Sequence, residues 1–386
     1  MMYKTKVLEN KILNIIYGFY LSTFILFNSI NVFSTNHTFH QVYKFIALVC
    51  ILALFTFFLI VKKTYSYLII SIGILGISII AGIKNDGINL ILTTAFFIVC
   101  SKYQNEDDIV KIDFYIRTTM TVLIMLLSCL KIFNNVIIYR DNGVRNSFGF
   151  NHPNTTGAMI FLIILDILYI LYKKNRKLGL VGLVSLIFIV LMEDKLINAR
   201  SAEFGSIIAI FGFYVIQHFK KKRNIDRILA IIAVLSCTLL PMTSLFLAFN
   251  YDITNNFYVH IDNLMSSRLY FFSYLLKYYP FSWFGQLTPL IGAKLTPFAT
   301  TGLSTDNVYI EFYMRFGIIP SLLYLSLLLF GLLKSINNKN YMMFVWIEST
   351  MIWACSESLL YIAAFNLPFI VLFANNKLKW KAKRNI

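Results

Sequence analysis

Val42-Tyr-Lys-Phe-Ile-Ala-Leu-Val-Cys-Ile-Leu-Ala-Leu-Phe-Thr-Phe-Phe-Leu-Ile-Val61 carries a single charge in 20 residues and stops at Lys62-Lys63. As a helix it is about 30 Å long, the thickness of a bilayer's hydrocarbon core. Runs of this kind recur in both directions. The expected spans are 15–33, 42–61, 65–83, 87–101, 112–138, 154–172, 178–192, 200–219, 228–249, 306–333, 341–356 and 359–374, about twelve in all. The 386 residues are 58% hydrophobic and 14% charged, with a mean hydropathy of +0.70, so charges are too few to cover a soluble domain. The expected fold class is all-α: a polytopic integral membrane protein forming one transmembrane domain over 1–386. The first run follows Lys4, Lys6 and Lys11 but lacks a small-residue cleavage pattern, and reads as a retained helix rather than a signal peptide.

The net charge of +17 is explained by where it sits. With the N-terminus inside, most basic residues fall on the inner side: Lys4, Lys6 and Lys11; Lys62 and Lys63; Lys102, Lys111 and Arg117; Lys173, Lys174, Arg176 and Lys177; Lys220, Lys221, Lys222, Arg223 and Arg227; Lys334 and Lys339; and the tail from Lys377 to Arg384. This distribution predicts cytoplasmic termini and removes any need for a nucleic-acid partner. Cys50, Cys100, Cys129, Cys237 and Cys355 lie in or beside apolar runs without metal-ligand spacing, and read as small buried hydrophobes.

One connection is long. Residues 250–305 form an extracytoplasmic loop rich in Tyr, Phe and Trp, and within it Arg268–Tyr279 reads as an interfacial helix stopped by Pro280. Arginines collect on this outer side: Arg140 and Arg145 before span six, Arg200 opening span eight, Arg268 in the loop, and Arg315 within span ten. Outer positive charge is disfavoured, and an intramembrane Arg costs several kcal/mol unless paired. Together these guanidinium groups point to an anionic ligand, with phosphate oxygens as the best geometric match. Spans six, eight and ten begin on the same side, aiming positive helix ends at it. Thr155 and Ser304 read as N-terminal caps of spans six and ten, and Glu203 as an ion-pair partner for Arg200. The remaining outer acids and imidazoles are His152, Glu193, Asp194, His260, Asp262, Asp306, Glu311 and Glu357, and no spacing among them makes a metal site.

These residues carry a resemblance. Arg145-Asn-Ser-Phe-Gly-Phe-Asn-His-Pro-Asn154 is similar to a stretch of capsule and exopolysaccharide repeat-unit polymerases. Asn198-Ala-Arg200-Ser201, Ser267-Arg268 with Tyr279-Pro280 and Phe284-Gly285, and Asp306-Asn307-Val-Tyr309 with Phe316-Gly317-Ile318-Ile319 resemble elements of the wider O-antigen polymerase and ligase superfamily. The resemblance covers about residues 140–335, with Glu357-Ser358 as a further match.

It implies a Wzy-type polymerase: a metal-independent, cofactor-free GT-C-like glycosyltransferase of the bacterial cytoplasmic membrane. Undecaprenyl diphosphate-linked oligosaccharides would be both donor and acceptor, and a chain-length regulator and a flippase would be partners. By the resemblance Arg145, Arg200, Arg268 and Arg315 bind diphosphate, with Asn154, Asn307 and Tyr309 beside the substrate. Asp306 stands where superfamily ligases carry His, so the catalytic base is Asp306, His152 or Glu357. A flippase for the same lipid-linked sugars and a ligase transferring finished glycan remain alternative readings.

Overall fold

The computed structural model describes residues 2–85, 88–140, 143–220, 222–265, 268–279, 281–287 and 306–374. Ser267, Pro280, Ser304, Thr305, Lys221 and the basic tail from Lys377 lie outside these residues. The chain folds as α1 (Met2–Phe24, extended by a π turn over Ile25–Ser29), α2 (Asn31–Ser34), α3 (His37–Ile60), α4 (Tyr65–Lys84), α5 (Ile88–Cys100) and α6 (Glu106–Cys129). A hairpin of β1 (Ile137–Arg140) and β2 (Gly143–Asn146) follows, then α7 (Pro153–Lys173), α8 (Leu180–Leu196), α9 (Arg200–Phe219), α10 (Ile225–Phe249), α11 (Asn256–Leu264) and α12 (Arg268–Tyr278). The last third comprises α13 (Val308–Glu311), a π turn over Phe312–Phe316, α14 (Ile318–Asn337), α15 (Tyr341–Trp353), two 3-10 turns and α16 (Leu367–Ile370).

Eight helices among the described residues are long and apolar enough to cross a membrane: Thr5–Ser29, α3, α4, α6, α7, α9, α10 and α14. Their outward faces carry exposed Phe55, Leu59, Ile60, Ile69, Phe211 and Leu239, a surface suited to lipid and not to water. The chain is an all-α, multi-pass membrane protein. At its centre stands α15, in which every residue from Tyr341 to Met351 is buried; it packs against α9, α14, α7 and α10. A helix apolar on all sides belongs inside a bundle, and α15 is only 13 residues long.

Several expected spans take other forms. The run 112–138 leaves the helix at Cys129, Lys131 takes φ 60°, and after Asn134-Asn135-Val136 the β-favouring Ile137-Ile-Tyr-Arg140 pairs with 143–146. In 178–192 the helix continues to Leu196, so Glu193 is helical and buried. Span 306–333 is broken at Gly317, whose φ of 93° only glycine adopts readily. Beyond α15, 359–374 forms short turns ended by Asn366 and Pro368 instead of one helix. Arg117 is not a loop charge: it lies 1% exposed in the core of the bundle. The Arg268–Tyr279 helix is present as α12. Its Leu269, Phe272, Leu275 and Leu276 form a second core with Ala248, Ile310 and Met314.

Hydrogen bonds define two poles. At one, Asn10 donates to Asp108 (3.0 Å), Tyr169 to Glu106 (2.5 Å), Tyr341 to Asp226 (2.8 Å) and Gln217 to the Arg176 carbonyl (3.0 Å), while Lys173 pairs with Asp107 at 3.4 Å. At the opposite pole Asn151 N–H donates to Ser29 O (2.7 Å) and Asn146 to Leu196 O (3.0 Å). This second pole gathers the starts of α7, α9 and α13 and the end of α15.

The break in span ten is braced by the loop. Ile318 and Ile319, the first amides of α14, donate to Ser282 O (2.9 Å) and Trp283 O (3.1 Å), and Gln286 N donates to Arg315 O at 3.1 Å. A Cβ on Gly317 would lie 2.4 Å from Gly285 N and 2.8 Å from Ser282 O. Gly317→Ala is therefore expected to cost more than the roughly 1–2 kcal/mol of its left-handed backbone alone. Gly76→Ala, where a Cβ meets nothing within 4 Å, serves as the control. Thermal melting of detergent-solubilised protein checks this, and equal melting of the two variants would refute the bracing.

Candidate functional site

The second pole centres on Glu357. The chain leaves α15 at Trp353, and Cys355 and Ser356 amides donate back to Ile352 O (3.1 Å) and Trp353 O (3.0 Å), turning Glu357 inward to 4% exposure. Its Oε1 accepts from Asn154 Nδ2 and from Ser201 Oγ, both at 2.8 Å. Asn154 is held in place twice. Pro153 opens α7, and His152 Nδ1 accepts from the Asn154 amide at 3.0 Å, so the cap is His152 and not Thr155. Arg145, 4% exposed on β2, donates from Nη2 to Asn154 Oδ1. One strand and three helix ends thus converge on one carboxyl group.

The far side of Glu357 is built from the loop and the broken span. Arg268, the first residue of α12, donates from Nη1 to Ser356 O at 2.7 Å and pairs through Nε with Asp306 Oδ2 at 3.1 Å. Asn307 caps α13 by accepting from the Tyr309 (3.0 Å) and Ile310 (3.1 Å) amides, and donates to Cys355 O at 2.9 Å. One turn further, Arg315 Nη1 pairs with Glu311 Oε1 at 3.0 Å on the π turn, flanked by Ser358 and Tyr361. Local π geometry of this kind recurs at functional sites because it re-aims side chains without ending a helix.

The residues expected from the sequence are divided by this geometry. Asn154 and Ser201 bond Glu357 directly, Arg145 reaches it through Asn154, the Arg268–Asp306 pair sits on the neighbouring Ser356 carbonyl, and Arg315 stands nearby with Glu311. Arg200 precedes Ser201 on the first turn of α9 and is exposed. No close ion pair joins it to Glu203 among the described residues, although the two charges still interact. His152 is engaged as a cap and Asn307 as a brace. Tyr309 is 5% exposed and its hydroxyl donates to Met351 O at 2.8 Å, inside the bundle and away from the cluster. Asp262 accepts from the Tyr270 amide at 3.0 Å and so caps the first turn of α12. Glu193, 1% exposed, lies against Gly157, where an added Cβ would meet its Oε1 at 2.8 Å. Among the described residues no three His, Cys, Asp or Glu side chains converge as metal ligands do.

Glu357, like Glu311 and Glu193, is a buried acid. Burial pushes its carboxyl up from the ordinary range to about 7; Arg268 and Arg145 pull it down, and Asp306 pushes it up. A carboxyl poised there both takes and returns a proton near neutral pH. No protein-family model matches the chain, and neither a curated protein nor a solved structure is detectably similar to it.

A raised carboxyl stabilises the fold most at low pH. The contribution is complete below the unfolded value near 4.5 and is lost as pH rises through about 7. Wild-type protein is expected to lose up to about 3 kcal/mol from this group over that window. Glu357→Gln, which still offers Asn154 and Ser201 an acceptor, removes that part of the slope. Melting temperatures from pH 4 to 8 measure the difference, and identical slopes would contradict the assignment.

Proposed function

We propose that the chain is a membrane glycosyltransferase that polymerises undecaprenyl diphosphate-linked oligosaccharide repeat units at the outer face of the bacterial cytoplasmic membrane. In this reading the fold is GT-C-like with about twelve crossings, the termini are cytoplasmic, and the lysine-bearing pole faces inward. The observation that carries it is a buried carboxyl raised to about 7 and flanked by Arg145 and Arg268, at the pole opposite the Lys173 cluster.

The chemistry follows from the placement. Glu357 takes the proton of the acceptor sugar's hydroxyl as that oxygen attacks the donor's anomeric carbon. The anomeric C–O bond to diphosphate breaks, and undecaprenyl diphosphate leaves with the electron pair. Arg268, Arg200, Arg145 and Arg315 offset the charge that grows on the leaving oxygens, an electrostatic contribution that a dry site strengthens. Asp306 holds Arg268 in position in place of acting as the base. Exposed Tyr270, Tyr278, Phe281 and Trp283 offer ring faces to the sugars. A chain-length regulator and a flippase are the expected partners.

One feature favours a second reading, a flippase for the same lipid-linked sugars. The unwound segment 359–366 lies against the buried Arg117, the pattern of discontinuous helices in transporters.

A deletion strain complemented with wild type, Arg268→Ala or Arg268→Lys separates the readings. Polymerisation predicts that deletion and Arg268→Ala leave single lipid-linked units on the outer leaflet, with partial recovery by Lys. Units trapped on the inner leaflet identify a flippase. Long unattached polymer identifies a ligase, and normal polymer from Arg268→Ala overturns the diphosphate assignment.

A further inference from the structure

Among the described residues a group of fully buried charges lies away from the Glu357 cluster. Arg117 on α6 forks onto Asp113 one turn earlier, Nε to Oδ2 at 2.9 Å and Nη2 to Oδ1 at 2.8 Å, both residues at 1% side-chain exposure. Tyr17 of α1 donates to the same Asp113 Oδ1, and Arg117 Nη1 contacts Met159 Sδ at 3.3 Å. Asp166 of α7, fully buried, faces the pair. A charge pair in a dry interior is expensive to keep and carries no net stability over apolar residues of the same size. Its retention asks for another use.

That use is in the remaining bond. Arg117 Nη2 also donates to Ala364 O at 2.7 Å, 247 residues along the chain. Ala364 belongs to the stretch of short turns that follows Glu357, in which the Leu359, Ile362 and Ala363 carbonyls accept from amides three residues on. Two more meet side-chain donors: Thr94 Oγ1 of α5, whose one proton is shared with Leu90 O of its own helix at 2.9 Å, reaches Tyr361 O at 2.9 Å, and Asn366 Nδ2 donates to Leu360 O at 2.7 Å. The stretch thus hangs between Glu357, tied to α7 and α9, and two pins on α5 and α6. Ser358 and Tyr361, which flank Glu311 and Arg315, lie between those points.

We propose that Arg117 is a positioning residue for the Glu357 site: braced by Asp113, it pins Ala364 and with Thr94 fixes the path of 357–366, and so the aim of Glu357. The inference rests on the polymerase reading above. A guanidinium is required because its fork holds Asp113 while a further N–H reaches the carbonyl. An ammonium keeps the charge but not that geometry.

Isolated membranes carrying full-length protein are supplied with lipid-linked repeat units extracted from the deletion strain, and the polymerisation rate is followed from pH 5 to 9. Arg117→Lys is expected at wild-type abundance with a rate about ten- to a hundredfold lower, since small misplacements of a reacting group cost that much. Its pH profile moves as well, because the surroundings of Glu357 change. Thr94→Val, which removes the other pin without altering charge, moves both in the same direction and decides the matter if Arg117→Lys fails to accumulate. Wild-type rate and profile in both variants while Glu357→Gln is silent overturn the inference and leave the polymerase reading standing. A lowered rate with an unmoved profile also overturns it, leaving Arg117 a merely structural residue. An active Glu357→Gln removes the polymerase assignment of Glu357 itself.

Discussion

A peptide group without a hydrogen bond does not survive among hydrocarbon chains, and most of this fold answers to that constraint. Continuous helices satisfy it internally. Two stretches do not: the turn around Gly317 and the segment after α15. Each borrows partners from elsewhere in the chain. The loop carbonyls of Ser282 and Trp283 take the first amides of α14. Thr94, Asn366 and Arg117 take the carbonyls of Tyr361, Leu360 and Ala364. Lys334 donates to Leu372 O (2.8 Å) and Ala374 O (2.7 Å), and Ser101 accepts from Phe373 N (2.9 Å). Thr94, Arg117 and Lys334, polar residues set in apolar helices, answer breaks in the helix ladder elsewhere. The breaks themselves free the backbone to turn side chains such as Glu357 and Arg315 toward one pole.

At that pole the acids and arginines restrain one another. Asp306 tethers Arg268, Glu311 tethers Arg315, and Asn154 stands between Arg145 and Glu357. Six charged side chains are thereby held without long flexible reach. An anionic ligand entering such a site meets donors already oriented, and little of its binding free energy goes into ordering them.

The sequence made the membrane class legible because apolar length is a local property, and Lys62-Lys63 or Lys173-Lys174 mark where a run must end. It made α12 legible because Arg268–Tyr279 is bounded by charge and proline. Arg145, Asn154 and Arg268 could be placed at one pole from topology alone. Their meeting on Glu357 could not, because α15 brings that residue from more than 150 positions away from Ser201. The periodicity of an apolar run also says nothing about whether its helix is continuous, so 306–333 and 359–374 read as ordinary spans. Gly317 and Asn366-Leu-Pro368 were the available signals. Arg117 was misplaced for a related reason: next to an apparent loop, a basic residue looks like a topogenic charge, and only the i,i+4 Asp113 hinted at a partner inside the bundle.

The facing glycines have a mechanical meaning. Gly285 and Gly317 meet backbone to backbone, so no side chain cushions the contact between the loop and the head of α14. The strand of loop from 281 to 287 and the turn bearing Arg315 consequently move as one rigid piece. Whatever grips the exposed aromatic rings of that loop pulls directly on the peptide that carries Arg315, with almost no slack in the linkage.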